Sequence, residues 1–421
     1  MQIVHLIPED DNLHPQDVNS IVYIGIYDTV TDLYSHTSIN LIDVDNVAIP
    51  LLPSNECYLV TDKKLFDKFY PDLESYDINT QFWLLYNREL IDISTLEIYN
   101  VFKKFYKGYK EWCRYIPFLK CKELFENIIS IVKESPEIYE ITQSSRFYCE
   151  KVYKGVGMIE NAGIAVSLKE FNNVFNKNYT TNIVRCNYRL HTTTGRPSNT
   201  FDNVNYSALN KKDGSRRVFI SRFDDEGILV ELDLDAYHLR LISQIIGYNL
   251  PNGSVHEYFG RLYFNTSTLT EDQYNQSKAI SFRLLYGELP YDYYNIKFFK
   301  QVEELKSKLW NQYITENYIE SPISGKIFNT NMFTDINKSK LFNYMLQTIE
   351  TEYSILYIND ILQVLNGKLS KLILYTYDSF LLDFNINDGL NVIKDIARIL
   401  GNCKIRAGST YHDLKLYNIR I

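Results

Sequence analysis

Long apolar runs are missing from this chain. No stretch approaches the roughly 20 residues that cross a bilayer, and Met1 to Asp10 lacks a basic segment followed by a greasy one. The sequence therefore predicts neither membrane insertion nor secretion, and a cytoplasmic location. Cysteine is sparse: Cys57, Cys113, Cys121, Cys149, Cys186 and Cys403 form no CxxC pair and have no His at finger spacing. That pattern excludes a disulfide scaffold and a zinc module, and predicts reduced thiols. Internal repeats, low-complexity tracts and flexible linkers are also lacking, so domain boundaries must be read from shifts in composition. Net positive charge is absent too, the formal charge being -8. Taken alone this argues against a nucleic-acid partner, because Lys and Arg neutralising phosphate supply most non-specific affinity. Local charge says otherwise. Between Arg185 and Arg222 lie Arg189, Arg196, Lys211, Lys212, Arg216 and Arg217 against only Asp202 and Asp213, which makes a strip able to follow a phosphate backbone or, equally, a solvated loop facing Asp224, Asp225 and Glu226.

At 421 residues the chain exceeds what one hydrophobic core serves, so several packed subdomains are expected. Tyr, Asn, Ile and Lys are abundant while Gly and Ala are few, as codons rich in A and T would produce. Residues 1–110 mix short apolar runs, among them Ile21 to Ile26 and Cys57 to Val60, with Asp, Asn and Pro punctuation, the pattern of a small α/β region. From about Glu111 the period becomes helical, with Leu119, Leu124, Ile128, Ile129 and Val132 on one face. Ile228 to Leu234 reads as a buried strand, with Asp233 at its end and Asp235 as the expected N-cap of a helix bearing Leu239, Ile242 and Ile246. Thr270 to Gly287 reads as a helix with Lys278, Phe282 and Tyr286 four residues apart, and Ser339 to Leu356 as another with Asn343 and Gln347 together. Leu372 to Phe384 reads as two strands about a tight turn from which Asp378 projects.

Two aspartates on neighbouring strand ends, far apart in sequence, suit phosphoryl transfer by two metal ions about 3.5–4 Å apart. Mg²⁺ fits carboxylates because it prefers hard oxygen ligands and keeps several waters and substrate phosphates. Either aspartate alone would more often be a cap or a turn residue.

The order of motifs raises the case. His191-Thr-Thr-Thr-Gly-Arg196, Asn203-Val-Asn205, Gly214-Ser-Arg216-Arg217-Val-Phe219, Leu232-Asp233-Leu234-Asp-Ala-Tyr-His238-Leu-Arg240, Lys278-Ala-Ile-Ser-Phe282-Arg-Leu-Leu-Tyr286-Gly287, Asn343-Tyr-Met-Leu-Gln347 and Tyr377-Asp378-Ser379 follow one another to the C-terminus. This series resembles the family A DNA polymerases, which include bacterial DNA polymerase I and phage replicases. The resemblance implies an α/β right-hand fold: a small N-terminal region (1–110), a helical thumb (111–190), a first palm segment with motif A (191–248), fingers with motif B (249–335) and a second palm segment with motif C (336–421). It implies a DNA-directed DNA polymerase, plausibly viral or of phage type, that extends a primer on template DNA with deoxynucleoside triphosphates and Mg²⁺, for which Mn²⁺ can substitute. Asp233 and Asp378 would hold the metals with the backbone carbonyl of Leu234, and Lys278 would contact the triphosphate. Phe282 and Tyr286 would stack near the incoming nucleotide. Arg196, Asn205, Arg216, Arg217, Arg240, Asn343, Gln347 and Tyr377 would touch DNA, in part through minor-groove acceptors common to all base pairs.

Departures from the family pattern leave alternatives open. His238 stands where a Glu commonly lies beneath the sugar, so discrimination against ribose is undetermined. Tyr274 replaces an Arg that grips the triphosphate. Ser379 replaces the second acid of motif C, which also resembles single-subunit RNA polymerases. In the N-terminal region Tyr27-Asp28-Thr-Val30 has Val30 where a nuclease metal ligand would be needed. No proofreading is therefore expected, and the region reads as a reduced exonuclease or a surface for a replication partner protein. An RNA polymerase of related fold, and a catalytically silent nucleic-acid-binding scaffold, remain rival readings.

Overall fold

Alternation of apolar side chains between the two faces of the first strands decides the architecture of the N-terminal part. In the computed structural model, which describes residues 1–8, 13–38, 51–91 and 118–417, Ile3, Ile7 and Tyr23 join one core while Val4, Leu6 and Ile24 join another. A sheet with both faces apolar has to be covered on both sides. The strands are β1 (Gln2–Pro8), β2 (Ile21–Asp28), β3 (Leu33–Ser38), β4 (Tyr58–Val60) and β5 (Ser75–Asp77). They lie in the order β3-β2-β1-β4-β5, with β1 antiparallel to β2 and parallel to β4. Helix α1 (Lys63–Phe69) covers one face through Leu65 and Phe66. Helices α2 (Ile78–Tyr86) and α3 (Phe118–Lys133) cover the other through Phe82, Phe125 and Ile128. Asp62 and Asp77 cap α1 and α2, accepting from the Leu65 and Thr80 amides. The expected α/β region is thus a five-stranded sheet, and the part of it in 92–117, with the start of the expected helical arm and Cys113, lies outside the described residues. Within that arm Pro136 opens a short 3₁₀ turn, and Tyr148–Tyr153 adopts a π-helix.

The chain divides into two compact units, Met1–Asn161 and Ala162–Ile421. The second is built on an antiparallel sheet of β6 (Gly227–Leu234), β7 (Lys371–Thr376), β8 (Ser379–Asn385), β9 (Cys403–Gly408) and β10 (Lys415–Leu416), ordered β7-β8-β6-β9-β10. Central β6 is the buried strand read from Ile228 to Leu234. Its neighbour β8 is buried along its whole length, and Asp383 there is matched by Arg222 Nε at 2.8 Å and Ser221 Oγ at 2.6 Å. Between β6 and β7 the chain runs through α4 (Tyr237–Ile245), α5 (Val255–Phe264), α6 (Glu271–Tyr286), α7 (Lys297–Glu316) and the 27-residue α8 (Lys338–Val364). These helices share one apolar core, from Leu239 and Phe259 through Leu285 and Phe299 to Leu346. Helix α9 (Asn391–Leu400) joins β8 to β9.

Candidate active site

The register of the central sheet brings the two aspartates together. Asp233 on β6 pairs with Ser379 on β8, and the Leu234 amide donates to the Asp378 carbonyl at 2.8 Å. Asp378 occupies the two-residue turn between β7 and β8, and Tyr377 before it has φ +59°. That left-handed geometry is uncommon for an aromatic residue and costs of order 1–3 kcal/mol. Two contacts hold it. Ser354 Oγ donates to the Tyr377 carbonyl at 3.2 Å, and the Arg196 guanidinium lies 3.8 Å from the centroid of the Tyr377 ring.

Around Asp378 negative charge gathers. Loss of water on its inner side, then the neighbouring Asp233 carboxylate, then Glu350, push its pKa up to about 6. The residue as a whole is exposed, so the desolvation share carries less weight than the pressure of two facing carboxylates. Asp233 is steadied from the other side, where Arg406 on β9 donates to Asp233 Oδ2 at 2.9 Å and to buried Glu231 at 2.7 Å. One oxygen of Asp233 is thereby engaged by Arg406 and Asp378 is open to solvent, a donor set of hard oxygens with surplus negative charge. Such a set fits divalent cations of the Mg²⁺ kind. Among the described residues no cluster of three or more His, Cys, Asp or Glu is arranged to hold a metal ion, so the candidate side-chain donors are this pair of carboxylates alone.

A polar network extends from this pair along α8. Glu350, only 2% exposed, faces Arg196 Nη2 at 3.2 Å through Oε1, and its Oε2 lies 3.0 Å from His238 Nε2. The other ring nitrogen of His238 makes a short hydrogen bond with the Tyr286 hydroxyl. Tyr286 in turn stacks on Phe282 with ring planes 4° apart, and Phe282 is exposed. One turn earlier on α6 the Lys278 ammonium sits 4.4 Å from the Tyr274 ring centroid. Tyr274, Lys278, Phe282 and Tyr286 thus share a face of α6, as the four-residue spacing predicts. The loop carrying Arg196 docks on α8: Thr348 donates to the Thr194 carbonyl at 2.9 Å, and Thr194 donates to Gln347 at 3.4 Å. Gly195 there has φ +74°, a conformation that glycine adopts without strain.

Other expected residues are placed elsewhere. Asn343 lies one turn before Gln347 on α8, its Oδ1 buried without a partner among the described residues. Arg240 reaches back to the Asp235 and Gly253 carbonyls at 3.0 and 2.7 Å. Arg216 donates to the Leu209 carbonyl and stacks 4.2 Å over Tyr411. Asn205 and Arg217 are exposed and line an open pocket of about 560 Å³ with Asn210 and Asp213. The reading of Asp235 as a helix cap needs correction. Ala236, with φ +50°, holds the N-cap position of α4, and the Asp235 carboxylate is bound instead by Lys404 at 2.5 Å, with Arg240 at 3.6 Å.

Glu350, Arg406 and Glu231 were not found from the sequence. A signal for Glu350 existed: it follows Gln347 by three residues and therefore shares its face of α8. Nothing local marks Arg406, whose partners lie across a sheet pairing.

No family model and no curated protein matches the chain. Among solved structures it is similar to the polymerase domain of Pol1 from M. smegmatis in complex with DNA primer-template and dNTP, with a TM-score of 0.67 and 12% identity over 98% of this chain and 95% of that one. At that identity the likeness is one of fold: the mixed α/β architecture described above is shared with that domain.

Proposed function

We propose that the chain is a DNA-directed DNA polymerase that adds deoxynucleotides to a primer 3′ end on template DNA. The observation that carries this reading is the meeting of Asp233 and Asp378 at the adjoining ends of β6 and β8, where loss of water and then the Asp233 and Glu350 carboxylates raise the Asp378 pKa to about 6. Two carboxylates so placed repel phosphate unless cations intervene, so the arrangement suits a phosphate-transfer site better than passive DNA binding. Mg²⁺ held by Asp233, Asp378 and the Leu234 carbonyl would supply Lewis-acid stabilisation to the attacking hydroxyl and the departing phosphate oxygens. Lys278, restrained by the Tyr274 ring, is placed to neutralise charge on the triphosphate. The exposed Phe282 ring, backed by Tyr286, offers a flat surface to the incoming base. Arg196, Gln347 and Asn343 gather on or beside α8, where they can contact the primer end, and the exposed strip with Lys211, Lys212 and Arg217 suits the DNA backbone. In this reading β6 to β10 form the palm, α5 to α7 the fingers, and the helices within 111–190 the thumb.

Several polar side chains of the N-terminal sheet serve its fold. Where β1 and β4 run side by side, buried His5 bonds Thr61 at 2.7 Å, while Asp28 accepts from the Val30 and Thr31 amides and Asp62 and Asp77 cap helices. Editing is left out of the proposed activity because Val30 stands where a nuclease metal ligand would be needed.

Primer extension with deoxynucleoside triphosphates and Mg²⁺ tests the proposal. The wild-type chain should extend a primed template, and Asp233→Asn or Asp378→Asn should lower the rate by about 10³ or more. Binding of primed DNA without extension in Mg²⁺ or Mn²⁺ would instead establish a silent scaffold, and exclusive use of ribonucleotides an RNA polymerase. A mismatched primer terminus should not be shortened.

A further inference from the structure

Glu350 is a deeply buried carboxylate beside the paired aspartates. A charge in the middle of a helix at 2% exposure is costly unless its partners are fixed. Its two oxygens are divided between two arms. Oε1 meets Arg196, which covers the Tyr377 ring, and Oε2 lies 3.0 Å from His238 Nε2. His238 Nε2 and Glu350 Oε2 are both buried, face each other at ion-pair distance, and have no hydrogen-bond partner among the described residues. The opposite nitrogen of the same ring meets the Tyr286 hydroxyl. A carboxylate facing Nε2 favours the proton on Nε2, which leaves Nδ1 as an acceptor and makes the Tyr286 phenol the donor. The carboxylate, imidazole and phenol then form a chain with one polarity, ending at the Tyr286 ring that backs exposed Phe282.

Resting on the polymerase reading, we propose that Glu350 is a positioning residue for sugar selection: it holds His238 and Tyr286 in the arrangement that closes the nucleotide site against a ribose 2′-hydroxyl. His238 alone could rotate away. Faced at one nitrogen by the Glu350 carboxylate and hydrogen-bonded at the other to Tyr286, the imidazole is held as a wall, and a wall discriminates against an added hydroxyl only if it cannot yield. The sequence of this chain thus keeps a carboxylate at the site although position 238 is an imidazole, supplying it from α8.

The test measures single-nucleotide kcat/KM for a deoxy and the matching ribo triphosphate on primed DNA. Wild type should favour the deoxy form. Glu350→Ala should lower that preference by about tenfold or more, chiefly by admitting the ribonucleotide, with the near-isosteric Glu350→Gln falling between. His238→Ala made in the Glu350→Ala background should lower it no further, because the two residues act as one unit. The exchange His238→Glu with Glu350→Ala, which returns a carboxylate to position 238, should restore preference; it also guards against Glu350→Ala simply misfolding. Equal losses for both nucleotides in the Glu350 variants, leaving the ratio unchanged, would overturn the inference, as would independent, multiplying effects of the two sites. Failure of wild type to extend with any nucleotide would instead overturn the polymerase reading itself.

Discussion

Single residues carry sharply different burdens in the two units. His5, buried against Phe125 in the N-terminal sheet, has its pKa lowered to about 4 by loss of water. The folded state therefore binds fewer protons than the unfolded one between pH 6.5 and about 4. Its contribution to stability is fully present above pH 6.5 and is lost as pH falls through that window, roughly 3 kcal/mol in all. Urea unfolding of His5→Asn across pH 4 to 7 should show a flatter profile than wild type. Arg406 is the corresponding point in the second unit. Replacing it with Met would leave buried Glu231 and Asp233 side by side without a counter-charge. Arg406→Met is expected to cost roughly 2–4 kcal/mol in urea unfolding, a little below a fully buried pair because the guanidinium is partly solvated. The sequence made Asp233, Asp378 and the face of α6 legible because motif spacing coincides with helix and strand periods. It could not disclose Arg406 or the ties of Asp235, since those partners meet across sheet pairings and loops distant in sequence.

Elements owe their precision to local chemistry that was partly readable. Helix α6 begins at Thr270, whose hydroxyl accepts from the Gln273 amide while the Gln273 side chain returns to the Thr270 amide, a capping box visible in the sequence. Its far end is less obvious: buried Lys306 on α7 donates to the Gly287 carbonyl at 2.5 Å and approaches the Leu284 carbonyl at 3.4 Å. Lys306→Met should fray this end, seen as faster amide exchange at Tyr286 and Gly287 and a loss of about 1–3 kcal/mol. Helices α5 and α6 approach closely at Gly260, where an added Cβ would stand 2.6 Å from Leu269 Cδ1 and 3.0 Å from Ser277 Cβ. Gly260→Ala is expected to destabilise by about 1–3 kcal/mol in thermal or urea unfolding, as overpacking does. The π-helix at Tyr148–Tyr153 was not legible, because its side chains follow no period that differs enough from the α-helical one.

For the molecule as a whole, the neighbourhood of the Asp233 strand and the Leu372–Phe384 hairpin was legible from the motifs, but the order of the remaining strands was not: alternation marks which face is apolar but not which strand neighbours which. The net charge of -8 is likewise a poor guide, since basic residues collect between Arg185 and Arg222. Affinity for primed DNA should fall steeply with salt, and Lys212→Ala or Arg217→Ala should each reduce the slope of log K against log salt by about 1. Filter binding from low to moderate salt measures this, and unchanged slopes would mean that the strip does not meet phosphate.

The pairing of Asp233 with Ser379 has an evolutionary corollary. Alternate residues of β6 point to opposite faces, so gaining or losing one codon between Gly227 and Asp233 would swing the acid away and present a leucine instead. The same length change in the exposed turn around Lys211 would leave the sheet untouched. Lineages descended from this gene are free to drift in loop length, but the count of residues along that single strand is inherited without tolerance.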